Sequence, residues 1–167
     1  TLELPIIQGG EVEIEKQINC GSYGCAFEAT VTSADFSGDL VIKQQCNRRD
    51  GLLSYDKRKS NEIMIMAKIE QRGGYEHILQ LRGLVENMRR LIQGPDDLVC
   101  ETIAIPPCIR NLQFYIEDPS ARGGRSKREI FILIEHVLDA IIYLHEIGIL
   151  HGDIHADNIM ECFEESY

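Results

Sequence analysis

The chain has 167 residues, of which 44% are hydrophobic, and its mean hydropathy is −0.16. These values are typical of a soluble globular protein with one domain or two small lobes. The 17 Lys and Arg residues are outnumbered by 27 Asp and Glu residues, and the net charge of −10 argues against nucleic acid or an anionic membrane as the main partner. No apolar run reaches the roughly 18 residues that a membrane span requires.

The six cysteines give no sign of a metal site or of a disulfide framework. None of them forms a C-x-x-C pair, and no His lies at zinc-finger spacing from them. We therefore expect reduced thiols, in a cytoplasmic or nuclear protein. Charged residues interrupt the first 16 positions, so no signal peptide is predicted.

A strand hairpin is predicted near the start of the chain. Residues 11–18 alternate charged and apolar side chains, which predicts a half-buried strand. The side chains expected on its buried face are Val12, Ile14 and Ile18. Residues 25–31 predict the returning strand, after a turn that contains Gly21 and Gly24. Because glycine has no Cβ, the backbone of this turn could approach phosphates closely, although an ordinary turn has the same pattern.

Residues 40–44 predict a third strand, which follows a turn at 37–39 and carries Lys43 near its end. A Lys that emerges from an apolar strand is commonly a surface residue, and alternatively it is held inward to pair with phosphate. Residues 54–71 then show the spacing of a helix, and Glu62 lies beside its apolar stripe. A Glu on a helix is ordinarily solvated, so a functional role for Glu62 requires that Lys43 lies nearby.

The next elements mark a boundary between two lobes. Residues 76–85 predict a turn that leads into a fourth strand, and residues 98–102 predict a fifth. Pro106-Pro107 ends any strand, so we expect a sheet lobe at 1–105 and a helical lobe at 106–167. Residues 118–128 predict a polar loop whose Arg and Lys side chains are solvated.

A long helix is predicted at 128–147, with apolar residues around most of its circumference. Such a helix must be buried on several sides. A dozen apolar side chains, each contributing about 1.5–3 kcal/mol when fully buried, could not remain in water without a large loss of stability. We therefore expect that the parent protein continues beyond Tyr167, or that a partner chain covers this helix.

The segment after this helix carries the most informative pattern, His151-Gly152-Asp153-Ile154-His155-Ala156-Asp157-Asn158. An Asp near a substrate hydroxyl can accept its proton, and an Asn five residues later on the same loop can ligate Mg²⁺ that is bound to nucleotide phosphates. A bare His-Gly-Asp is also a common turn. The interpretation therefore depends on the other motifs.

The string YLHEIGILHGDIHADNIM resembles the catalytic loop of protein kinases, H-R-D-L-x-x-x-N, together with the helix that leads into it. The resemblance implies an α+β, protein-kinase-like bilobal fold that binds ATP and Mg²⁺. Asp153 would position the nucleophile, Asn158 would ligate the metal, and Lys43 would hold the phosphates while Glu62, 19 residues later, orients it. The resemblance also implies these nucleotide contacts: Gly21, Ser22, Tyr23, Gly24, Val41, Lys43, Glu101 and Ile103.

The chain departs from the family pattern at several positions. Asn19 stands where the first glycine of the Gly-rich loop belongs, and Val41 replaces an Ala that borders adenine in the family. Gly152 replaces the Arg that usually pairs with a phosphate on the activation loop, and His155 stands where Ser/Thr-specific members have Lys. No D-F-G motif follows the catalytic loop, so the resemblance covers about the first two thirds of a kinase domain.

Three functions follow from this resemblance. The first is a protein kinase that transfers the γ-phosphoryl group of MgATP to a Ser or Thr hydroxyl of a protein substrate. The second is a truncated, kinase-like binding module that docks on a true kinase and regulates it, which the departures from the pattern favour. The third is a small-molecule kinase, because HGDIH is also similar to aminoglycoside phosphotransferases.

Overall fold

The computed structural model describes residues 4–21, 24–33, 36–48, 61–94, 98–118 and 125–162. The chain divides into two compact units. The first contains Thr1–Gly74 and Leu79–Pro107, and the second contains Tyr75–Ile78 and Cys108–Tyr167. The structure is mixed α+β, with a mostly antiparallel sheet and few helices in the part that is described.

The first unit is built on a six-stranded sheet with the order β1-β5-β6-β4-β3-β2. Its strands are β1 (Ile6–Gln8), β2 (Val12–Gly21), β3 (Gly24–Thr32), β4 (Ser37–Arg48), β5 (Gly83–Glu86) and β6 (Leu98–Ile105). The short β1 pairs in parallel with β5, and the other neighbouring strands are antiparallel. The predicted hairpin of β2 and β3 is confirmed.

Two details of the first three predicted strands are wrong. Residues 37–39 do not form a turn, because they continue β4 and pair with the end of β3. The chain reverses earlier, where the N–H of Ser33 donates to the carbonyl of Phe36 at 2.8 Å. Ile18 is not on the buried face but is 48% exposed. The cause is the register shift between Ile14 and Lys16, which moves the following side chains to the other face, and Ile18 itself lies at a second shift, between Gln17 and Asn19.

Strand β4 separates an apolar core from a polar face. Leu40, Ile42 and Gln44 alternate along it on the buried side, whereas Val41, Lys43 and Gln45 alternate on the opposite, half-buried side. The core that packs around Leu40 and Ile42 consists of Ile7, Ala29, Val31, Val85 and Ala104. Packing of Leu40 and Ile42 into the core therefore places Lys43 on the opposite face of β4.

One helix belongs to this unit, α1 (Asn61–Glu70). The earlier part of the predicted helix, residues 54–60, lies outside the described residues. The helix ends as predicted at the glycine pair, where the N–H of Gly74 donates to the carbonyl of Ile69 at 3.1 Å. Strand β6 runs to Ile105, three residues beyond its predicted end, and stops at Pro106.

The second unit contains a two-stranded sheet and two helices. Its elements are β7 (Cys108–Asn111), α2 (Leu112–Glu117), α3 (Lys127–Glu146) and β8 (Met160–Cys162). The predicted long helix is confirmed to within one residue at each end. It begins at a capping box, in which the Glu129 N–H donates to Ser126 Oγ and the Ser126 N–H donates to the Glu129 carboxylate. The elements β7, α2 and β8 were not predicted from the sequence.

Helix α3 keeps much of its apolar surface exposed. Phe131 is 70% exposed, and Leu138 and Ile142 are more than half exposed, whereas Leu144 is buried. Despite this surface, none of the helices in the described ranges is long and apolar enough to cross a membrane. Exposed apolar faces commonly mark contacts with other protein segments, and what covers this one stays a prediction.

The cysteines form three disulfides, so the expectation of reduced thiols is wrong. The pairs are Cys20–Cys25, Cys46–Cys100 and Cys108–Cys162. Each pair joins residues that lie directly opposite each other in an antiparallel ladder. Spacing along the chain does not reveal such pairs, because it is strand register that brings the cysteines together. Reduced thiols were the reason to expect a cytoplasmic or nuclear protein, so that expectation is no longer supported.

Arg125 corrects the expectation that the basic residues of the 118–128 loop are solvated. Its Nη2 lies 2.9 Å from Glu161 Oε2, and its guanidinium lies 4.4 Å from the centre of the Tyr115 ring. Glu161 also accepts a hydrogen bond from the Tyr115 hydroxyl. That bond, followed by the contacts with Arg125, lowers the pKa of Glu161. The cluster joins the start of α3 to β8 and α2.

Residues 75–78 are held against α3 by a polar cluster around Asp139. The Tyr75 hydroxyl donates to Asp139 Oδ2 at 2.6 Å, and His77 Nδ1 lies 3.0 Å from the same oxygen. The Tyr75 ring stacks on Tyr143, with ring centres 4.0 Å apart. The hydrogen bond to Asp139 raises the pKa of Tyr75 to about 12. The hydrogen bonds from Tyr75 and then His77 lower the pKa of Asp139.

Replacing Asp139 by Asn should make the protein less stable at neutral pH but not in acid. The folded-state pKa of Asp139 is depressed, so the stability it contributes is present above its ordinary pKa near 4 and is lost as the pH falls through the folded value. Thermal unfolding from pH 7 down to about pH 3 should show the two melting temperatures converging. Glu135→Gln, at an exposed carboxylate on the same helix, is the control. A constant difference at every pH would contradict the prediction.

Candidate functional site

Lys43 and Glu62 form an ion pair beside the sheet of the first unit. Lys43 Nζ lies 2.6 Å from Glu62 Oε1, and the two side chains are 28% and 40% exposed. Strand β4 presents Lys43 on its polar face, and Glu62 lies in the first turn of α1. A pair this exposed contributes at most about 1 kcal/mol to stability. The contact is therefore better suited to fixing the position of the ammonium group than to holding the fold together.

Gln45, a residue with no predicted role, holds the other oxygen of Glu62. Its Nε2 donates to Glu62 Oε2, and because it lies two residues beyond Lys43 it shares the same face of β4. Both carboxylate oxygens of Glu62 are therefore engaged by β4. Strand alternation gave a signal for this residue, since Lys43 and Gln45 must point to the same side.

The structure describes part of the predicted phosphate-binding turn. Gly21 and Gly24 are paired across the hairpin, whereas Ser22 and Tyr23 lie outside the described residues. Gly24 has a positive φ of +139°, and a Cβ placed on it would lie 2.4 Å from the carbonyl oxygen of Gln44. A packing requirement therefore explains Gly24 without any phosphate. Its role toward a nucleotide stays a prediction.

Replacing Gly24 by Ala should destabilise the first unit. The new methyl group would overlap the backbone of β4, and alanine disfavours the positive φ, so we expect a loss of about 1–3 kcal/mol in the free energy of unfolding. Urea denaturation measures it. Gly10→Ala is the matched control, because a Cβ there meets nothing within 4 Å. Equal stability of the two variants would contradict the argument.

Glu101 and Ile103 do not present their backbone to a ligand. Both residues pair with β4 inside β6. The carbonyl of Ala104 accepts the N–H of Arg82 and so points away from β4. Because backbone groups alternate in direction along an antiparallel strand, those of Glu101 and Ile103 point toward β4. The predicted backbone contact with adenine is incompatible with this pairing, and the error arose from ending the strand three residues too early.

Val41 lies on the face of β4 that carries Lys43, and its contact with a nucleotide stays a prediction. It is half-buried and pairs with Ile105, the last residue of β6. The chain therefore leaves the sheet beside Val41. This placement makes Val41 a neighbour of the connector that begins at Pro106.

In the second unit, Asp153 and Asn158 are joined within one loop. Asn158 Nδ2 donates to the backbone carbonyl of Asp153 at 2.9 Å and lies 3.3 Å from its carboxylate Oδ2. This contact uses the amide nitrogen of Asn158, so its amide oxygen remains as an acceptor. The Asp153 side chain is 65% exposed. The backbone N–H of Asp153 donates to His151 Nδ1 at 3.2 Å. The loop thus fixes the spacing of a carboxylate and an amide while leaving oxygens of both available.

His155 lies among the polar groups of this loop. Its Nε2 is 2.9 Å from Asn158 Nδ2 and 3.5 Å from Asp153 Oδ2. Its Nδ1 accepts the N–H of Asp157 at 3.3 Å, at the start of a short 3₁₀ turn (Ala156–Asn158). His155 therefore lies against both Asp153 and Asn158.

Gly152, which stands in place of the family's Arg, has a φ of +76°, in the left-handed region that favours glycine. A Cβ at this position would meet nothing within 4 Å. The backbone conformation, and not a lack of space, explains the residue. Because an Arg here would be strained, the loop geometry is consistent with a site that lacks the Arg-dependent contact.

The described ranges contain no group of three or more His, Cys, Asp and Glu side chains that could hold a metal ion by itself. Mg²⁺ in phosphoryl-transfer sites is commonly held by one or two protein oxygens together with substrate phosphates. The Asn158 amide oxygen has the chemistry for that smaller share. Asn158 therefore fits an ion that arrives with a nucleotide.

The structure joins the predicted residues in two sets. Lys43, Glu62, Val41 and Gly24 belong to the first unit, and Asp153 and Asn158 belong to the second. In the first set the predicted ion pair of Lys43 and Glu62 is present, and in the second set Asn158 donates to the backbone carbonyl of Asp153, a contact that was not predicted. That the two sets face a common nucleotide stays a prediction.

No family model matches the chain. Among curated proteins, it is similar to a probable myosin light chain kinase of Dictyostelium discoideum, with 21% identity over 153 residues. The aligned region covers 90% of this chain and 41% of that protein, so the chain spans less than half the length of this relative. The similarity supports a distant, kinase-like relation along nearly the whole chain.

Proposed function

We propose that the chain is the nucleotide-binding and catalytic-loop portion of a protein kinase domain, which transfers the γ-phosphoryl group of ATP to a Ser or Thr hydroxyl. The observation that carries the proposal is the pair of preorganised contacts, Lys43 with Glu62 and Asp153 with Asn158. The similarity to a protein named as a probable myosin light chain kinase supports a protein substrate.

Each of the four residues has a defined task in this proposal. Lys43 binds nucleotide phosphates, and Glu62 holds the ammonium in place. Asp153 accepts a hydrogen bond from the substrate hydroxyl and takes its proton, for which its exposed carboxylate is suited. The amide oxygen of Asn158 would hold Mg²⁺, which neutralises phosphate charge when bound.

The adenine-facing backbone is proposed to follow β6 directly, at Pro106 and Pro107. Val41 pairs with Ile105, so the chain reaches this point beside the residue that would cover the base. Proline has no backbone N–H, and these two positions can therefore offer only carbonyl acceptors. Together with the bulk of Val41, this predicts weaker adenine binding than a connector with free N–H groups would give.

The exposed apolar face of α3 is proposed to be covered by further helices of the same kinase domain. Phe131, Leu138 and Ile142 are more than half exposed. The relative is more than twice as long as the matched region, which leaves room for such a segment in proteins of this kind. Soluble expression that requires a longer natural chain would support this assignment.

The proposal is tested with the complete natural protein, by replacing Lys43 with Met and measuring phosphorylation of a generic protein substrate. We expect kcat/KM to fall by about a hundredfold or more, because the variant loses a charge that contacts the phosphates. Lys16→Met removes another lysine that forms an ion pair on the same sheet, with Glu28, and should retain activity. A wild-type protein that binds no MgATP and copurifies with an active kinase would instead favour a regulatory binding module.

A further inference from the structure

The strands β7 and β8 form a small ribbon that adjoins the loop of Asp153 and Asn158. Three residue pairs define the ribbon, from Cys108 opposite Cys162 to Asn111 opposite Met160. At its inner end the N–H of Leu112 donates to the carbonyl of Ile159 at 2.8 Å. Ile159 directly follows Asn158, so the ribbon determines where the loop ends.

Noncovalent contacts hold this ribbon only weakly. Strands of four and three residues, for which the described residues show no third neighbour, are marginally stable in water. Asn111 Nδ2 donates to Asp157 Oδ1 at 3.2 Å, but this hydrogen bond is exposed. The ion pair of Arg125 with Glu161 is partly exposed as well, which limits its contribution. The disulfide Cys108–Cys162 is thus the strongest link at the outer end of the ribbon.

The disulfide Cys46–Cys100 offers a natural comparison. It also joins residues 54 positions apart, so both bonds close loops of the same length in the unfolded chain. In contrast, it connects β4 and β6 within a continuous eight-pair ladder inside the six-stranded sheet. Opening it leaves that ladder in place, whereas opening Cys108–Cys162 leaves a short ribbon.

We propose that the Cys108–Cys162 disulfide is a redox-sensitive clasp that positions the Asp153–Asn158 loop, and that a dithiol reductant releases it. The inference rests on the proposed function for its effect on catalysis, but not for its effect on structure. Cys108 and Cys162 are positioning residues, since neither would touch the substrate. Oxidising conditions keep the loop ordered, and reducing conditions loosen it.

The chemistry is thiol–disulfide exchange. One thiolate of the reductant attacks Cys162 Sγ or Cys108 Sγ, the protein S–S bond breaks, and the other protein sulfur leaves as a thiolate. The second thiol of the reductant then attacks the mixed disulfide, so the protein gains two electrons and two protons while the reductant becomes a disulfide. Cys162 is exposed and Cys46 and Cys100 are half-buried, which favours reduction of the ribbon disulfide over reduction of Cys46–Cys100.

The test compares two double variants of the complete natural protein, Cys108→Ala with Cys162→Ala and Cys46→Ala with Cys100→Ala. Amide hydrogen exchange of residues 151–162 is measured in both. We expect exchange at least about tenfold faster in the first variant only.

Folded wild-type protein treated with increasing concentrations of a dithiol reductant provides the second measurement. Alkylation and mass spectrometry identify the disulfide that has opened. Loop exchange should rise when Cys108 and Cys162 become alkylated and fall again after reoxidation.

The outcomes separate the clasp from the proposed function. Unchanged loop exchange after Cys108–Cys162 opens, or an equal rise in both variants, overturns the clasp. Faster loop exchange in a protein with no kinase activity in any form supports the clasp and counts against the proposed function. If the wild type is active, kcat should fall about tenfold in the first variant, because the Asp153–Asn158 loop is no longer held in position. Full activity with an opened clasp would remove its catalytic role.

Discussion

Replacing Asp153 by Asn in the complete natural protein is expected to reduce kcat by about 10²–10⁴-fold, the contribution typical of a positioned general base. The substitution keeps the shape of the side chain and removes its ability to take a proton. The loop should survive, because Asn158 binds the backbone carbonyl of residue 153, which the substitution leaves in place. Binding of MgATP should therefore change much less than turnover.

Asp157→Asn is the matched control for this experiment. Asp157 lies on the same loop, is also more than half exposed, and accepts a hydrogen bond from Asn111 that an Asn side chain can still accept. We expect its kcat within about threefold of the wild type, since it has no role in proton transfer. Quantitative phosphorylation of a protein substrate measures both variants. If Asp153→Asn retains activity similar to that of Asp157→Asn, Asp153 is not the base.

Residue pattern could predict the Lys43–Glu62 contact because two local signals coincide. An apolar strand that ends in Lys and a helix with Glu beside its apolar stripe are each ambiguous, but their order and the 19-residue spacing matched a known arrangement. The structure then placed Nζ and Oε1 2.6 Å apart. Gln45 was missed although strand alternation placed it beside Lys43, because an uncharged side chain carried no chemical signal of its own.

Errors arose wherever pairing between strands determines the result. The register of β4 and β6 turns the backbone groups of Glu101 and Ile103 toward β4, and no local pattern contains that information. The same is true of the cysteines, since Cys46 and Cys100 meet only because 54 residues return to the adjacent strand. Long-range register is set by the whole sheet, and the sequence of one strand cannot reveal it.

Strand β4 also contains the polar residue Gln44. The periodicity of the sequence did not indicate its importance. It is fully buried between apolar neighbours, where a polar side chain is costly unless its hydrogen bonds are made. Its Nε2 donates to Thr102 Oγ1 at 3.1 Å and to the carbonyl of Arg89 at 3.2 Å. Its Oε1 accepts the N–H of Leu91 at 2.7 Å. Gln44 therefore joins β4, β6 and the segment after β5.

Replacing Gln44 by Met is expected to lower the free energy of unfolding by about 2–4 kcal/mol. Met has a similar length and no hydrogen-bonding amide, so the partners of Gln44 remain unsatisfied, and each such buried group costs about 1–3 kcal/mol. The adjacent Gln45→Met is the matched control on the other face of β4, and it loses one half-exposed hydrogen bond, worth about 0.5–1.5 kcal/mol. Urea denaturation without reductant measures both.

The two variants also separate stability from catalysis. Gln44 contributes to the core side of β4, so its replacement should leave the residual folded protein with normal KM for ATP. Gln45 holds Glu62 on the polar side, and its replacement should raise KM for ATP while the protein remains stable. Equal stability of the two variants would show that buried hydrogen bonding at Gln44 is unimportant. A raised KM in the Gln44 variant alone would show that the two faces of β4 do not act independently.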